Sequence, residues 1–344
     1  MRRRLTIGLA VLVVLAAAWC GFWVYAARDI ETRLAAWAAA QRAQGLVAEY
    51  GSVTVTGFPL AWHMRVTEPV MTGAGPTRWE WRGEEMTAEL RPWALRDIPV
   101  TFPGLHRIAG GAGGVAETLA IRATRPEGRL QLAADGRLAN LKLDLDDAQI
   151  RRLPDPSTAT AKRVRAMLSP HRAAEATYRT DTLDLAVAID TLTVPEPPRY
   201  ALGPVIAAAQ IDASVKGPLP QGRLADSVAA WRDAGGVIEI HRLALRWGPL
   251  DGDGDGTLTL DAANRPLAAF TMRIRGYTET VDALTAAGVM KPRDAGTLKI
   301  ALNLFARQGA NGGRRELSVP VTAQDGRLSV AGFNLFGLPP LNFE

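Results

Sequence analysis

The stretch that leaves a folding chain the fewest choices runs from Gly236 to Gly276, GVIEIHRLALRWGPLDGDGDGTLTLDAANRPLAAFTMRIRG. Near its end Ala268, Phe270, Met272 and Ile274 alternate with Ala269, Thr271, Arg273 and Arg275. A helix would scatter the two sets around its axis. A β-strand puts successive side chains on opposite faces, here one dry and one wet. Ile238 and Ile240, then Leu243, Leu245 and Trp247, mark a longer strand whose phase slips at His241-Arg242. That slip predicts a β-bulge, which bends a sheet. Leu258 and Leu260 mark a shorter strand between the two. Joined by Gly/Asp and Asn-Arg-Pro turns, the three predict an antiparallel meander.

The same alternation recurs at Val53 and Val55; at Trp62, Met64 and Val66; and from Trp79-Glu80-Trp81 to Trp93. It returns at Leu119 and Ile121, at Leu130 and Leu132, at Leu141, Leu143 and Leu145, at Leu183 to Ile189, and at Ile206 to Val215. Leu298, Ile300, Leu302 and Leu304 predict a further strand, and Leu317 to Val330 a last hairpin around Gln324-Asp325-Gly326-Arg327. Arg125-Pro126-Glu127-Gly128 and Asp135-Gly136-Arg137 have turn chemistry. Gly104 to Gly114 reads as a Gly-rich loop, and Pro195 to Pro204 as a linker. Helices are expected at Ala161 to Leu168, with a further turn over His171 to Tyr178, at Leu224 to Trp231, and at Thr280 to Ala287 before Gly288.

At the N-terminus, Leu5 to Ala27 carries no charged residue, and Arg2, Arg3 and Arg4 precede it. About 20 helical residues cross the hydrocarbon of a bilayer, and flanking cations hold that end in the cytoplasm. Trp19, Phe22, Trp23 and Tyr25 cluster at the far end, where amphipathic rings favour an interface. A cleaved signal peptide ending at Ala16-Ala17-Ala18 is the rival reading; the apolar run continues past it to Ala27. Lipoprotein processing at Cys20 would place bulky Trp19 where a small residue is needed. Arg28 to Gln44 is rich in helix formers and ends at Gly45. The chain therefore divides into a cytoplasmic tip (1–4), a transmembrane anchor (5–27), a juxtamembrane helix (28–45), and two β-rich halves (46–194 and 195–344), each with a helical insert. The fold class is mainly β with short helices, a large curved antiparallel sheet that lines a groove or packs as a sandwich.

Chemistry is scarce in this sequence. The net charge of +5 is spread thinly, so no nucleic-acid footprint is expected. Cys20, the only cysteine, lies in the anchor, which leaves the body without disulfides or a thiol nucleophile. Asp251-Gly252-Asp253-Gly254-Asp255-Gly256 matches the start of a calcium loop, but Ala262 stands where the bidentate Glu belongs. A tight Gly-rich hairpin is the plainer expectation. His63, His106, His171 and His241 lack zinc spacing, and Gly110 to Gly114 lacks the Lys of a phosphate loop. No serine has a nearby His that suggests a catalytic triad, though triads assemble in space. Trp62, Trp79, Trp81 and Trp93 crowd the first third, as core packing or as an apolar surface near the bilayer.

Three segments carry a resemblance: GFPLAWHMRVTEP at Gly57 to Pro69, WRDAGGVIEIHRLALRWGPLDGDGDGTLTLD at Trp231 to Asp261, and DGRLSVAGFNLFGLPPL at Asp325 to Leu341. They resemble the domain-of-unknown-function family 2125, envelope proteins of Gram-negative bacteria, over nearly the whole chain. The middle also resembles the repeats of AsmA-like proteins, inner-membrane-anchored β-sheet proteins of the periplasm, some of which carry phospholipid. The resemblance implies a single-pass inner-membrane protein without catalytic residues or cofactor. Its partners would be the membrane, phospholipid and an envelope protein. The expected apolar ligand face comprises Ala268, Phe270, Met272, Ile274, Leu298, Ile300, Leu302 and Leu304. A closed, partner-binding module with no lipid is the alternative.

Overall fold

A computed structural model describes residues 2–43, 46–73, 79–110, 117–153, 155, 157–170, 181–195, 200–218, 224–307, 315–330 and 333–341. Helix α1 (Arg2–Ala43) is one uninterrupted rod through the anchor and the juxtamembrane segment. Strands β1 (Leu46–Glu49), β2 (Ser52–Thr56), β3 (Trp62–Thr67), β4 (Val70–Gly73), β5 (Trp79–Gly83), β6 (Glu85–Leu90), β7 (Asp97–Thr101), β8 (His106–Gly110), β9 (Glu117–Arg122) and β10 (Arg125–Leu132) follow. Long strands come next: β11 (Leu138–Leu153), β12 (Thr158–Pro170), β13 (Asp181–Thr193) and β14 (Val205–Lys216). After α2 (Leu224–Asp233) come β15 (Val237–Trp247), β16 (Leu250–Leu260) and β17 (Pro266–Arg275). Helices α3 (Tyr277–Ala286) and α4 (Pro292–Phe305) precede β18 (Glu316–Gln324), β19 (Arg327–Val330) and β20 (Phe333–Gly337).

All twenty strands belong to one antiparallel sheet. From β10 to β19 each strand pairs with the next in sequence, so the sheet grows by local hairpins. It is not closed: β2 and β20 each pair along one edge only among the described residues. The N-terminal strands are pairs of short segments on either side of a crease. β11 shows why, pairing with β10 up to Asp146 and with β9 from Gln149. Asp147 lies at the break with φ 49°, and the crease continues through Glu68 (φ 48°) and Gly104 (φ 91°) in neighbouring connections. Positive φ at Glu and Asp is uncommon and marks a local kink rather than regular strand. Downstream, the expected bulge is present: on β15, His241 and Arg242 stand between Ile240, opposite Gly256, and Leu243, opposite Gly254.

Several expectations need correction. Ala161 to Leu168 is not a helix; it lies within β12, and the first half has no helical insert among the described residues. Ala, Arg, Met and Leu favour helix locally, but β11 and β13 each supply a ladder edge and cross-strand charge partners. Arg163 bonds Asp146 at 2.9 Å, and Arg165 bonds Asp190 at 3.0 Å. Tertiary pairing overrides a propensity worth tenths of a kcal/mol per residue. Arg125 to Gly128 is strand rather than turn, and the start of the Gly-rich segment is strand β8. His171 to Tyr178 and Gly111 to Gly114 lie outside the described residues.

Leu298, Ile300, Leu302 and Leu304 belong to α4, not to a strand. Pro292 at the first turn and Asp294 near the positive end of the dipole suit a helix start. Leu302 packs with Tyr277, Leu317, Val319 and Ile274, whereas Ile300 is exposed. Buried Ala295 and half-buried Leu298 and Leu302 fall at helical spacing. The side chain of Leu304 lies outside the described residues.

Candidate functional site

Strand register converts the sequence alternation into continuous rows, because residues opposite one another in a ladder share a face. One row runs Val55, Met64, Ala88, Val100, Gly128, Leu143, Ala166, Val187, Ile211, Leu243, Gly254, Met272 and Val319. Its neighbour runs Ile98, Leu130, Leu141, Leu168, Leu185, Ala213, Ile240, Gly256, Phe270, Val321 and Val330. A third runs Pro126, Leu145, Val164, Ile189, Ala209, Leu245, Gly252, Ile274 and Leu317. No polar side chain interrupts any of them. Ala268, Phe270, Met272 and Ile274 lie on this face, as expected.

The face is covered at its two ends. At the N-terminal end α1 packs along β1 and β2, with Trp23 stacked on Trp62 at 6.4 Å. At the other end Tyr277 and Leu302, from α3 and α4, close over Ile274, Leu317 and Val319. Between them Trp231 of α2 covers only the joined ends of β14 and β15, against Gly217 and Gly236, and no helix runs along the rest of β10 to β15 among the described residues. Leu143, Val187, Ile211 and Leu243 there are only half-buried, and no large side chain anywhere in the described body is fully buried.

The Asp-Gly repeat is neither a calcium loop nor a hairpin: it is the body of β16, with its glycines dry and its aspartates wet. A Cβ on Gly254 would come within 2.5 Å of Met272 Sδ, and one on Gly256 within 2.5 Å of Phe270 Cδ1. The glycines therefore make room for the large residues of β17. On the wet face Arg275 bonds Asp253 at 2.5 Å and Asp251 at 3.1 Å, and Arg273 reaches Asp253 at 2.7 Å. No metal-ligating cluster occurs among the described residues.

Burial pushes the Asp253 carboxyl upward, but hydrogen bonds from Arg275 and Arg273 outweigh it and hold the group below the usual carboxylate range. Because the folded value is depressed, the stabilisation is complete above the unfolded Asp value of about 3.9 and disappears as pH falls through the lower folded one. The thermal midpoint should therefore be insensitive to this pair near neutrality and drop below about pH 4. Asp253→Asn should flatten part of that acid limb, read by calorimetry from pH 7 to 3; an unchanged limb would refute the assignment.

A sizeable cavity lies on the wet side. It measures about 660 Å³ and is lined by residues of two wet rows, among them Arg129, Lys142 and Asp212 in one and Asp144, Arg165 and Gln210 in the other, together with Leu143, Ala166 and Val187 between them. Mixed charge makes it a solvated hollow without a converging set of like groups. A smaller hollow of about 330 Å³ beyond the crease has Arg107, Arg122 and Arg151 on its wall.

A family model described as "Uncharacterized protein conserved in bacteria (DUF2125)" matches residues 23–339. The chain belongs to the DUF2125 family. No curated protein and no solved structure matches it, so the AsmA-like resemblance rests on the strand and turn patterns alone.

One hydrogen-bonded chain in this DUF2125 protein escaped sequence reading. Ser214 Oγ donates to Asp184 Oδ1 at 2.7 Å and lies 2.8 Å from His241 Nε2. The three come from β13, β14 and the bulge of β15, so only register brings them together. The order is wrong for nucleophilic catalysis, which places His between Ser and the carboxylate. Here serine is the middle member, buried, and holds the bulge in place. His106 is buried too, with its ring stacked on Trp81 and its Nε2 2.7 Å from the Phe102 carbonyl.

Proposed function

We propose that this DUF2125 protein is a single-pass membrane protein of the bacterial envelope whose apolar sheet face holds the acyl chains of lipid. The observation that carries the reading is the set of unbroken apolar rows over β10 to β15, along most of which no helix is packed among the described residues. Contiguous apolar surface of that extent is uncommon on a protein that faces water alone, and it marks an interaction site. The uncharged stretch from Leu5 to Ala27 supports a membrane location: α1 is long and apolar enough there to cross a bilayer. Arg2 to Arg4 favour a cytoplasmic N-terminus and a periplasmic body. Holding acyl chains requires no titrating group and no cofactor, so we read the protein as a binder rather than an enzyme. An alternative in which the sheet closes on itself is not favoured by two unpaired edges.

Mass spectrometry of the purified full chain should find phospholipid beyond the annulus around α1. The double variant Ile211→Asp, Leu243→Asp should lose that excess while the protein still folds, because both side chains are half-exposed on the open rows. Equal lipid on the two proteins would overturn the proposal.

A further inference from the structure

We propose that the connection from β2 to β3, residues Gly57 to Ala61, dips into the bilayer leaflet on the sheet's side, and that the neighbouring β6–β7 connection rests on the same surface. The proposal depends on reading α1 as a membrane span. At 1.5 Å per residue, a span of about 30 Å beginning at Leu5 ends near Val24. Trp19 and Trp23 then lie within the last ~8 Å of hydrocarbon. These two side chains hold the loop: Trp19 Nε1 donates to the Pro59 carbonyl at 2.9 Å, and Trp23 Nε1 to the Ala61 carbonyl at 3.1 Å. Trp62 returns a bond from its Nε1 to the Trp23 carbonyl at 3.2 Å. The loop cannot sit at this height on the helix and also stay outside the membrane.

Its composition suits that depth. Phe58 is 52% exposed and Leu60 64% exposed, and both are apolar. Irregular backbone survives in hydrocarbon only where its polar groups are satisfied. Pro59 has no N–H to satisfy, two carbonyls are taken by the indoles, and Ala61 N–H bonds the Gly57 carbonyl at 3.2 Å. β3 pairs with β6, with Trp62 opposite Leu90, so the β6–β7 connection is the next one along the same edge. It exposes Trp93 (68%) and Leu95 (52%) between Arg91 and Arg96. Indole rings and cations together fit the headgroup layer of an anionic membrane.

Spin labels on the full chain in vesicles of phosphatidylcholine and phosphatidylglycerol would test this by their access to oxygen and to a water-soluble nickel chelate. A label on native Cys20 reports the span. Labels at Leu60→Cys and Leu95→Cys, each in a Cys20→Ser background, report the loops, and Arg246→Cys on the wet face is the aqueous reference. The expected result is a deep Cys20, Leu60→Cys about 5–10 Å below the phosphates, Leu95→Cys at or just below them, and a fully aqueous Arg246→Cys. A deep Cys20 with an aqueous Leu60→Cys would overturn this proposal alone. An aqueous Cys20 would overturn the span and the proposal with it.

Discussion

Replacing Trp231 by alanine should lower the stability of the folded body by about 3–5 kcal/mol, the range for deleting a buried aromatic. Trp231 on α2 is only 5% exposed, which few large side chains among the described residues match. Its indole lies against Gly217 and Gly236, which end β14 and precede β15, and a Cβ on Gly236 would come within 2.5 Å of indole Cδ2. Its Nε1 donates to the Lys216 carbonyl at 2.7 Å. Truncation opens a cavity at the place where two long strands are joined and removes that hydrogen bond. Trp231→Phe should recover most of the loss, short of about 1 kcal/mol for the missing hydrogen bond. Urea unfolding of the full chain in detergent would read both. A midpoint for Trp231→Ala close to that of the parent would show that α2 is an ornament on the sheet.

Gly254→Leu should destabilise by about 1–3 kcal/mol or more, as overpacking does when the neighbours cannot yield. The new Cβ would meet the Thr271 carbonyl as well as Met272 Sδ. A thioether can swing aside, but a paired strand backbone cannot. Gly252→Ala is the control, since the nearest atom to its Cβ is 3.9 Å away, and it should change the unfolding midpoint little. Asp253 and Asp255 beside Gly254 keep their arginine partners on the wet face, so a loss confined to Gly254→Leu would place the effect on the dry face. If Gly254→Leu unfolded like the parent, β16 would not carry its glycines for the large residues of β17.

How much of this was legible in the chain follows from the range of the forces involved. The two-residue period at Ala268 to Ile274 is set by local burial, and the same period marked the strands of the sheet, the meander from β15 to β17, and the slip at His241. The period fails where two elements share it. Leu298, Ile300, Leu302 and Leu304 alternate like a strand, yet Pro292 and Asp294 were the better signal because they mark a helix start. Ala161 to Leu168 fails in the other direction: its helix formers were outvoted by Asp146 and Asp190 on the strands alongside. The Asp-Gly repeat looked like a loop because glycine is common in turns, and its partners Phe270 and Met272 come from the following strand. The chain of Asp184, Ser214 and His241, and the docking of Pro59 and Ala61 on Trp19 and Trp23, depend on contacts across many residues that no local pattern records. Of the eight residues expected on one apolar face, the four on β17 share the sheet's dry face and the four on α4 do not lie on a strand.

Lipid is expected to occupy the open apolar rows of the sheet. Photoreactive residues placed singly at Val187, Ile211 and Leu243 on the dry face, and at Lys142, Arg165 and Arg246 on the wet face, would test it in intact cells. The expected result is phospholipid-sized adducts, identified by mass spectrometry, from the first three positions and none from the second three. Adducts to protein alone at Ile211 and Leu243, or equal lipid labelling on both faces, would contradict it.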